Sequence, residues 1–284
     1  MKIGFLTKYN KDRIIYAKDN GFKSIELLIS PNDPLDPTIN NEKDILEAKE
    51  FIKKNDITIS AIGVYYINCL DSDHDKREFS IEYLNKIIKI CKLLNVDIIG
   101  TVPGRNSDET IEDNIPIYKK IFTPIIQKIE NNNLKLAYEN CPRFHYHPFR
   151  GVNIAYCPKS WEMIFNTIES EAVGLEYDPS HPVSMMMDYI EPIYEFKHKI
   201  FHIHLKDTEI LVDNLKRNGI FEPHIFQFRL PGYGDIDWNL FFDSLSKINY
   251  KGDANIECCK DPNIPDHDEL VSLKHAKENL INYF

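Results

Sequence analysis

Short runs of β-branched and aliphatic residues recur along this chain, each followed by a longer stretch in which apolar residues return every three or four positions. The short runs, at residues 2–6, 22–29, 57–64, 96–101, 134–138, 173–177, 199–205 and 253–256, read as strands. The intervening stretches, at residues 12–20, 42–55, 81–94, 110–131, 160–168, 188–196, 238–248 and 268–280, read as helices. In the third of these helices Ile87, Ile88, Cys91 and Leu94 form one apolar stripe. Eight strand–helix repeats with no linker and no low-complexity segment predict a single α/β domain over residues 1–284. Its sheet is expected to close into a parallel (β/α)8 barrel rather than stay open. The two longest connections, residues 140–159 and 207–237, both follow the C-terminal ends of strands, where such a barrel builds its active site.

The seventh strand carries the most informative alternation. In Ile-Phe-His-Ile-His-Leu-Lys-Asp, His202, His204 and Lys206 share one face, and Phe201, Ile203 and Leu205 share the other. Imidazoles are poor core material but good ligands on a rigid strand, which fixes where the ring nitrogen points. A half-exposed edge strand would show the same pattern. Three neighbouring strands decide between the two, because each also ends in an ionisable residue: Glu139, Asp178 and Glu257. Together with His204 they would meet at one rim. Three carboxylates and one imidazole suit a hard or borderline divalent cation with open positions for substrate or water. Without a cation the carboxylates would repel, and at least one would have to take up a proton.

Charge and composition narrow the partners. The net charge of −10, from 34 basic and 44 acidic residues, argues against a nucleic-acid surface. No apolar run approaches the roughly 20 residues of a membrane-spanning helix. Six cysteines without a CxxC pair suggest reduced thiols and a cytoplasmic protein.

The segments Glu-Asn-Cys-Pro at 139–142, Tyr-Asp-Pro-Ser-His at 177–181, His-Ile-His-Leu-Lys-Asp-Thr at 202–208 and Phe-Arg-Leu-Pro-Gly-Tyr-Gly-Asp-Ile-Asp-Trp at 228–238 add a further signal. In this order they resemble the sugar phosphate isomerase/epimerase family of the xylose isomerase-like TIM-barrel superfamily. The resemblance covers about half of the chain. The first half agrees in its strand–helix rhythm and in Gly21-Phe22-Lys23-Ser24-Ile25-Glu26.

The resemblance implies one divalent metal ion (Mn2+, Co2+, Mg2+ or Zn2+) held by Glu139, Asp178, His204 and Glu257. It implies Glu139 and Glu257 as the acid–base pair, and His181 and Arg229 as substrate contacts. Lys206 shares the strand face of His204 and is a further candidate contact, or part of a hydrogen-bonded layer with His202. Arg229 could equally be a surface arginine in a long loop, and Gly232 and Gly234 read as turn-forming. Two features depart from the family: Cys258 stands where many relatives have a histidine, and His145 and His147 match no family position.

The function expected from this set is isomerisation or epimerisation of a small sugar or keto-sugar. A proton next to the carbonyl would leave through a metal-stabilised enediolate and return. A lyase on the same scaffold, an inosose-type dehydratase or a keto-glycoside-cleaving enzyme, would begin from the same step. A metal-free carbohydrate-binding barrel is a third reading. The endonuclease branch fits poorly, since its extra histidines on the second and third strands are missing here. The resemblance also allows a homodimer.

Overall fold

The computed structural model describes residues 1–146, 149–264 and 268–283. Its elements in chain order are β1 (Ile3–Thr7), α1 (Lys11–Asp19), β2 (Ser24–Leu28), α2 (Glu42–Lys54), β3 (Thr58–Val64), α3 (His74–Leu94) and β4 (Ile98–Thr101). There follow α4 (Ile111–Asn131), β5 (Lys135–Glu139), β6 (Phe144–Tyr146), β7 (Phe149–Gly151), α5 (Pro158–Thr167), β8 (Val173–Tyr177), α6 (Ser180–Ser184) and α7 (Glu191–Glu195). The last part comprises β9 (Ile200–Leu205), β10 (Asp207–Ile210), α8 (Val212–Asn218), β11 (Phe226–Arg229), α9 (Trp238–Lys247), β12 (Ala254–Ile256) and α10 (Glu269–Leu280).

Eight strands close into a barrel in the order β1-β12-β9-β8-β5-β4-β3-β2, every pair parallel. The chain is therefore an α/β protein with a (β/α)8 barrel, as the repeat pattern predicts. The core lies between barrel and helices, where Ile87, Ile125, Ile129, Trp161, Ile164 and Phe241 are buried. All six residues of β9 are buried, so the histidine-bearing strand is central and covered on both faces rather than a half-exposed edge.

Local chemistry sets the helix starts. Asn41 and Asp44 form a reciprocal capping box at α2. Asp73 caps α3 by accepting from the backbone of Asp75 and Lys76, so this helix begins at His74, seven residues before the start expected at residue 81. The expected helix at 188–196 forms only over Glu191–Glu195. The two long connections are not structureless. The first carries the antiparallel hairpin β6–β7, the second the hairpin β10–β11 with α8 between its strands.

One carboxylate organises the second connection. Asp207 accepts from the backbone of Thr208, Gly232 and Ile236 and from the Trp238 indole. Gly232 adopts φ +87°, and a Cβ at Gly234 would stand 2.3 Å from Asp207 Oδ1. The turn reading of both glycines thus has a physical basis: the Leu-Pro-Gly-Tyr-Gly-Asp stretch wraps a buried acid.

Candidate metal and acid–base centre

Each of four barrel strands delivers one side chain to the C-terminal rim. Glu139 ends β5, Asp178 follows β8, His204 lies near the end of β9, and Glu257 follows β12. Asn140 fixes the first two against each other. Its amide donates to the Asp178 carbonyl at 2.9 Å and accepts from the Asp178 N–H at 2.8 Å. Asn153 donates to the carbonyls of Glu139 and Cys141 at 3.0 and 2.8 Å, holding the outgoing loop. Neither asparagine stands out in the sequence, because amides that brace backbone carry no pattern of their own.

The four rim side chains each offer one ligand atom, and these atoms lie within 4.8 Å of one another. His204 Nδ1 is 3.4 Å from Glu139 Oε1 and 3.5 Å from Glu257 Oε2. His204 Nδ1 and Asp178 Oδ2 are fully buried and make no hydrogen bond. Buried polar atoms without partners are rare and call for a ligand. An ion about 2.0–2.2 Å from each donor would need them at most about 4.4 Å apart, a contraction of a few tenths of an ångström. The donor set and its orphaned atoms therefore fit a divalent ion. Three anionic oxygens and an imidazole do not distinguish manganese, cobalt, magnesium and zinc.

His181, on α6, joins this group. Its Nε2 lies 3.3 Å from Asp178 Oδ2 and 3.6 Å from Glu139 Oε1, and neither ring nitrogen makes a hydrogen bond. Lys206 also points into the site, with Nζ 2.5 Å from Glu257 Oε2 and 3.3 Å from Asp178 Oδ2. In the metal-free state it is the internal counter-cation.

Arg229 is placed differently. Its guanidinium donates to Asp261 at 2.9 Å and to Glu209, and the Leu230 N–H reaches the same Asp261 oxygen. It braces β11 against the segment after β12 and, among the described residues, does not line the main cavity. His145 is exposed on β6, and His147 lies outside the described residues.

Protons take the place of the ion here. Burial pushes the Glu139 carboxyl up, but the His181 and His204 imidazoles beside it outweigh burial and hold the group well below the usual range. Burial acts the same way on Glu257, where the Lys206 charge prevails and holds it at about 2. Burial lowers both histidines, yet His204 ends well above its ordinary value because of the Glu176 and Glu26 charges. His181 rises to about 10 beside Cys141 and Asp178.

A cavity of about 810 Å³ opens over this centre, lined on one side by Glu139, Cys141, Lys206 and Glu257 and on the other by Lys8, Arg13 and Tyr66. The Phe228 ring of β11 packs against two residues of the centre, at right angles to the His181 ring at 5.4 Å and with Lys206 Nζ over it at 4.7 Å. Below the rim a second polar layer crosses the barrel axis. Glu26, Tyr65, Glu176 and His202 are hydrogen-bonded to one another or to His204. Glu176 carries no signal in the sequence, since a single polar residue inside a strand reads as its solvent side.

An inosose dehydratase of Lactiplantibacillus plantarum is 29% identical over 144 residues, which cover 48% of this chain and 47% of that protein. The chain spans about half the length of the curated relatives it matches. Among solved structures, the IolI protein with a binding zinc atom superposes with a TM-score of 0.76 at 19% identity, covering 100% of this chain and 98% of that one. An L-ribulose 3-epimerase gives 0.75 at 17% identity, covering 99% and 94%. At such identities the likeness speaks for the fold. The model of the xylose isomerase-like TIM barrel family matches residues 14–278, and the chain belongs to that family.

Proposed function

We propose that this chain is a divalent-ion-dependent enzyme that moves a proton at the carbon beside the carbonyl of a small sugar or keto-sugar. The observation that carries this reading is the pair of carboxylates, Glu139 and Glu257, that meet at His204 Nδ1, 3.4 and 3.5 Å from it. An ion held by Glu139, Asp178, His204 and Glu257 would supply positive charge to polarise the substrate carbonyl. The zinc of the IolI protein supports that choice of cofactor.

The chain's own groups do the rest. Glu139, ionised at neutral pH, takes the proton from one side of the carbon. Glu257, itself ionised, relays to the opposite face a proton given up by the Lys206 ammonium 2.5 Å away, which inverts the centre and leaves Lys206 neutral and Glu139 protonated. Lys206 and His181 hold the hydroxyl oxygens flanking the carbonyl, and the Phe228 ring packs against both side chains. Arg229 contributes by fixing β11, and with it Phe228.

A second reading has a specific basis. The curated relatives are inosose dehydratases, and dehydration needs a proton donor for the departing hydroxyl. Lys206 and His181, both held protonated, stand at the site to provide one. Both readings share the first proton transfer.

The test is to incubate the Mn2+-loaded chain with a panel of ketoses and inososes in D2O and follow the products by NMR. Deuterium entering beside the carbonyl supports the shared step. An epimer then marks the first outcome and an unsaturated ketone the second. A fully loaded enzyme that exchanges no proton of any panel member overturns the proposal.

A further inference from the structure

A barrel interior of this kind is ordinarily filled by layers of Val, Ile and Leu. Here the layer beneath the rim is polar, with Glu26, Glu176 and His202 fully buried and Tyr65 half-buried, and it costs desolvation unless its groups satisfy one another. They do. Glu26 reaches across the axis from β2 and lies 2.8 Å from His204 Nε2. The Tyr65 hydroxyl contacts both Glu26 and Glu176, and Glu176 lies 2.7 Å from His202 Nδ1. Ser60 Oγ closes the network 3.2 Å from His202 Nε2. Two glycines make room for it: a Cβ at Gly63 would stand 2.5 Å from Glu26 Oε1, and one at Gly100 would stand 2.4 Å from Glu176 Oε2.

His204 is thus held between two environments. Its lower nitrogen has a carboxylate acceptor, and its upper nitrogen, Nδ1, is buried without a partner and faces the three rim carboxylates. We propose that Glu26 is a positioning residue for the metal centre: it takes the Nε2 proton of His204 in a hydrogen bond and so leaves Nδ1 as the ligand nitrogen. A carboxylate behind a ligating imidazole fixes the ring's tautomer and orientation and raises its basicity. Tyr65 and Glu176 hold Glu26 in turn. Glu26, Glu176, His202 and His204 also bring ligand atoms within 4.8 Å of one another, but in this layer the four side chains already bond among themselves and to Tyr65. The layer is a floor for one ion, not a second cage. The inference rests on the proposed function only in that the rim takes up an ion.

The experiment titrates the metal-free full chain with Zn2+ by calorimetry and records imidazole 15N shifts of the loaded protein. The expected result is one zinc per chain, with His204 bound through Nδ1 and its Nε2–H retained. Glu26→Leu should bind zinc about 10- to 100-fold more weakly. Glu26→Gln, whose carbonyl oxygen still accepts, should lose less than about 10-fold with the metal-free fold intact. Saturable wild-type binding with unchanged affinity in both variants would overturn the role of Glu26. So would zinc bound through Nε2, or a second zinc in the lower layer. A wild-type chain that takes up no zinc overturns the proposed function as well.

Discussion

Replacing Lys206 by methionine should destabilise the metal-free chain and make it more responsive to a divalent ion. The side chain is nearly fully buried, and its ammonium lies 2.5 Å from Glu257 and 3.3 Å from Asp178, with Glu139 close by. Methionine keeps most of the volume, so the loss is electrostatic. The Glu257 carboxyl stands at about 2 against an ordinary 4.5, chiefly because the Lys206 charge outweighs burial. That difference corresponds to about 3 kcal/mol, the lower end of what removing one partner of a buried pair costs. For a chain of 284 residues, a melting entropy of about 0.6 kcal/mol/K converts this into a fall of about 5 °C.

The sign with pH follows. A depressed carboxyl adds stability above its unfolded value and loses it as pH falls through the folded one. The difference between wild type and Lys206→Met should therefore be full above about pH 4.5 and vanish near pH 2. Saturating Mn2+ should raise the melting temperature of the variant more than that of the wild type, since the ion then replaces the missing charge. Calorimetric melting with and without Mn2+ across pH is the assay. A metal-free variant as stable as the wild type at pH 7, or one that Mn2+ stabilises less, would refute the reasoning.

Three further outcomes are expected. Glu139→Gln and Glu257→Gln should each lower turnover by about 10²- to 10⁴-fold while the circular dichroism spectrum stays native, and unchanged kcat in either would remove that residue from the acid–base pair. His204→Ala should weaken ion binding by more than the roughly 10- to 100-fold typical of an outer partner, with a smaller relative change in melting temperature; equal zinc occupancy would contradict its role as a ligand. Ion affinity should rise with pH, because His204 and His181 are held protonated above 6.5 and at least the His204 proton must leave on binding. The stability those protons give the metal-free chain is full below 6.5 and fades as pH climbs through the raised values, about 10 for His181. A titration in buffers of different ionisation enthalpy that detects no released proton would count against this.

The barrel and its rim were legible for related reasons. Strand Val173–Tyr177 is a short apolar run bounded by turn residues, and eight such runs at regular spacing define the closed sheet. The grouping at the rim was visible because Glu139, Asp178 and Glu257 interrupt otherwise apolar strand ends. What escaped depends on contacts across the barrel. Glu26, Tyr65 and Glu176 converge from β2, the segment after β3, and β8, and no local periodicity encodes that meeting. Gly63 and Gly100 were the available signal, since a glycine inside a strand marks a close approach.

The hairpins β6–β7 and β10–β11 were missed because strands of three or four residues are too short to show alternation. Arg229 shows the opposite difficulty. Its motif marks a substrate arginine in relatives, but whether it reaches a ligand depends on neighbours, and here Asp261 and Glu209 hold it.

Anomalous diffraction at the manganese edge, on crystals grown with Mn2+, tests the central claim most directly. The account predicts one peak per chain, about 2.0–2.2 Å from oxygens of Glu139, Asp178 and Glu257 and from Nδ1 of His204. A map without a peak among those four side chains, or with its peak in the layer of Glu26 and Glu176, would contradict it.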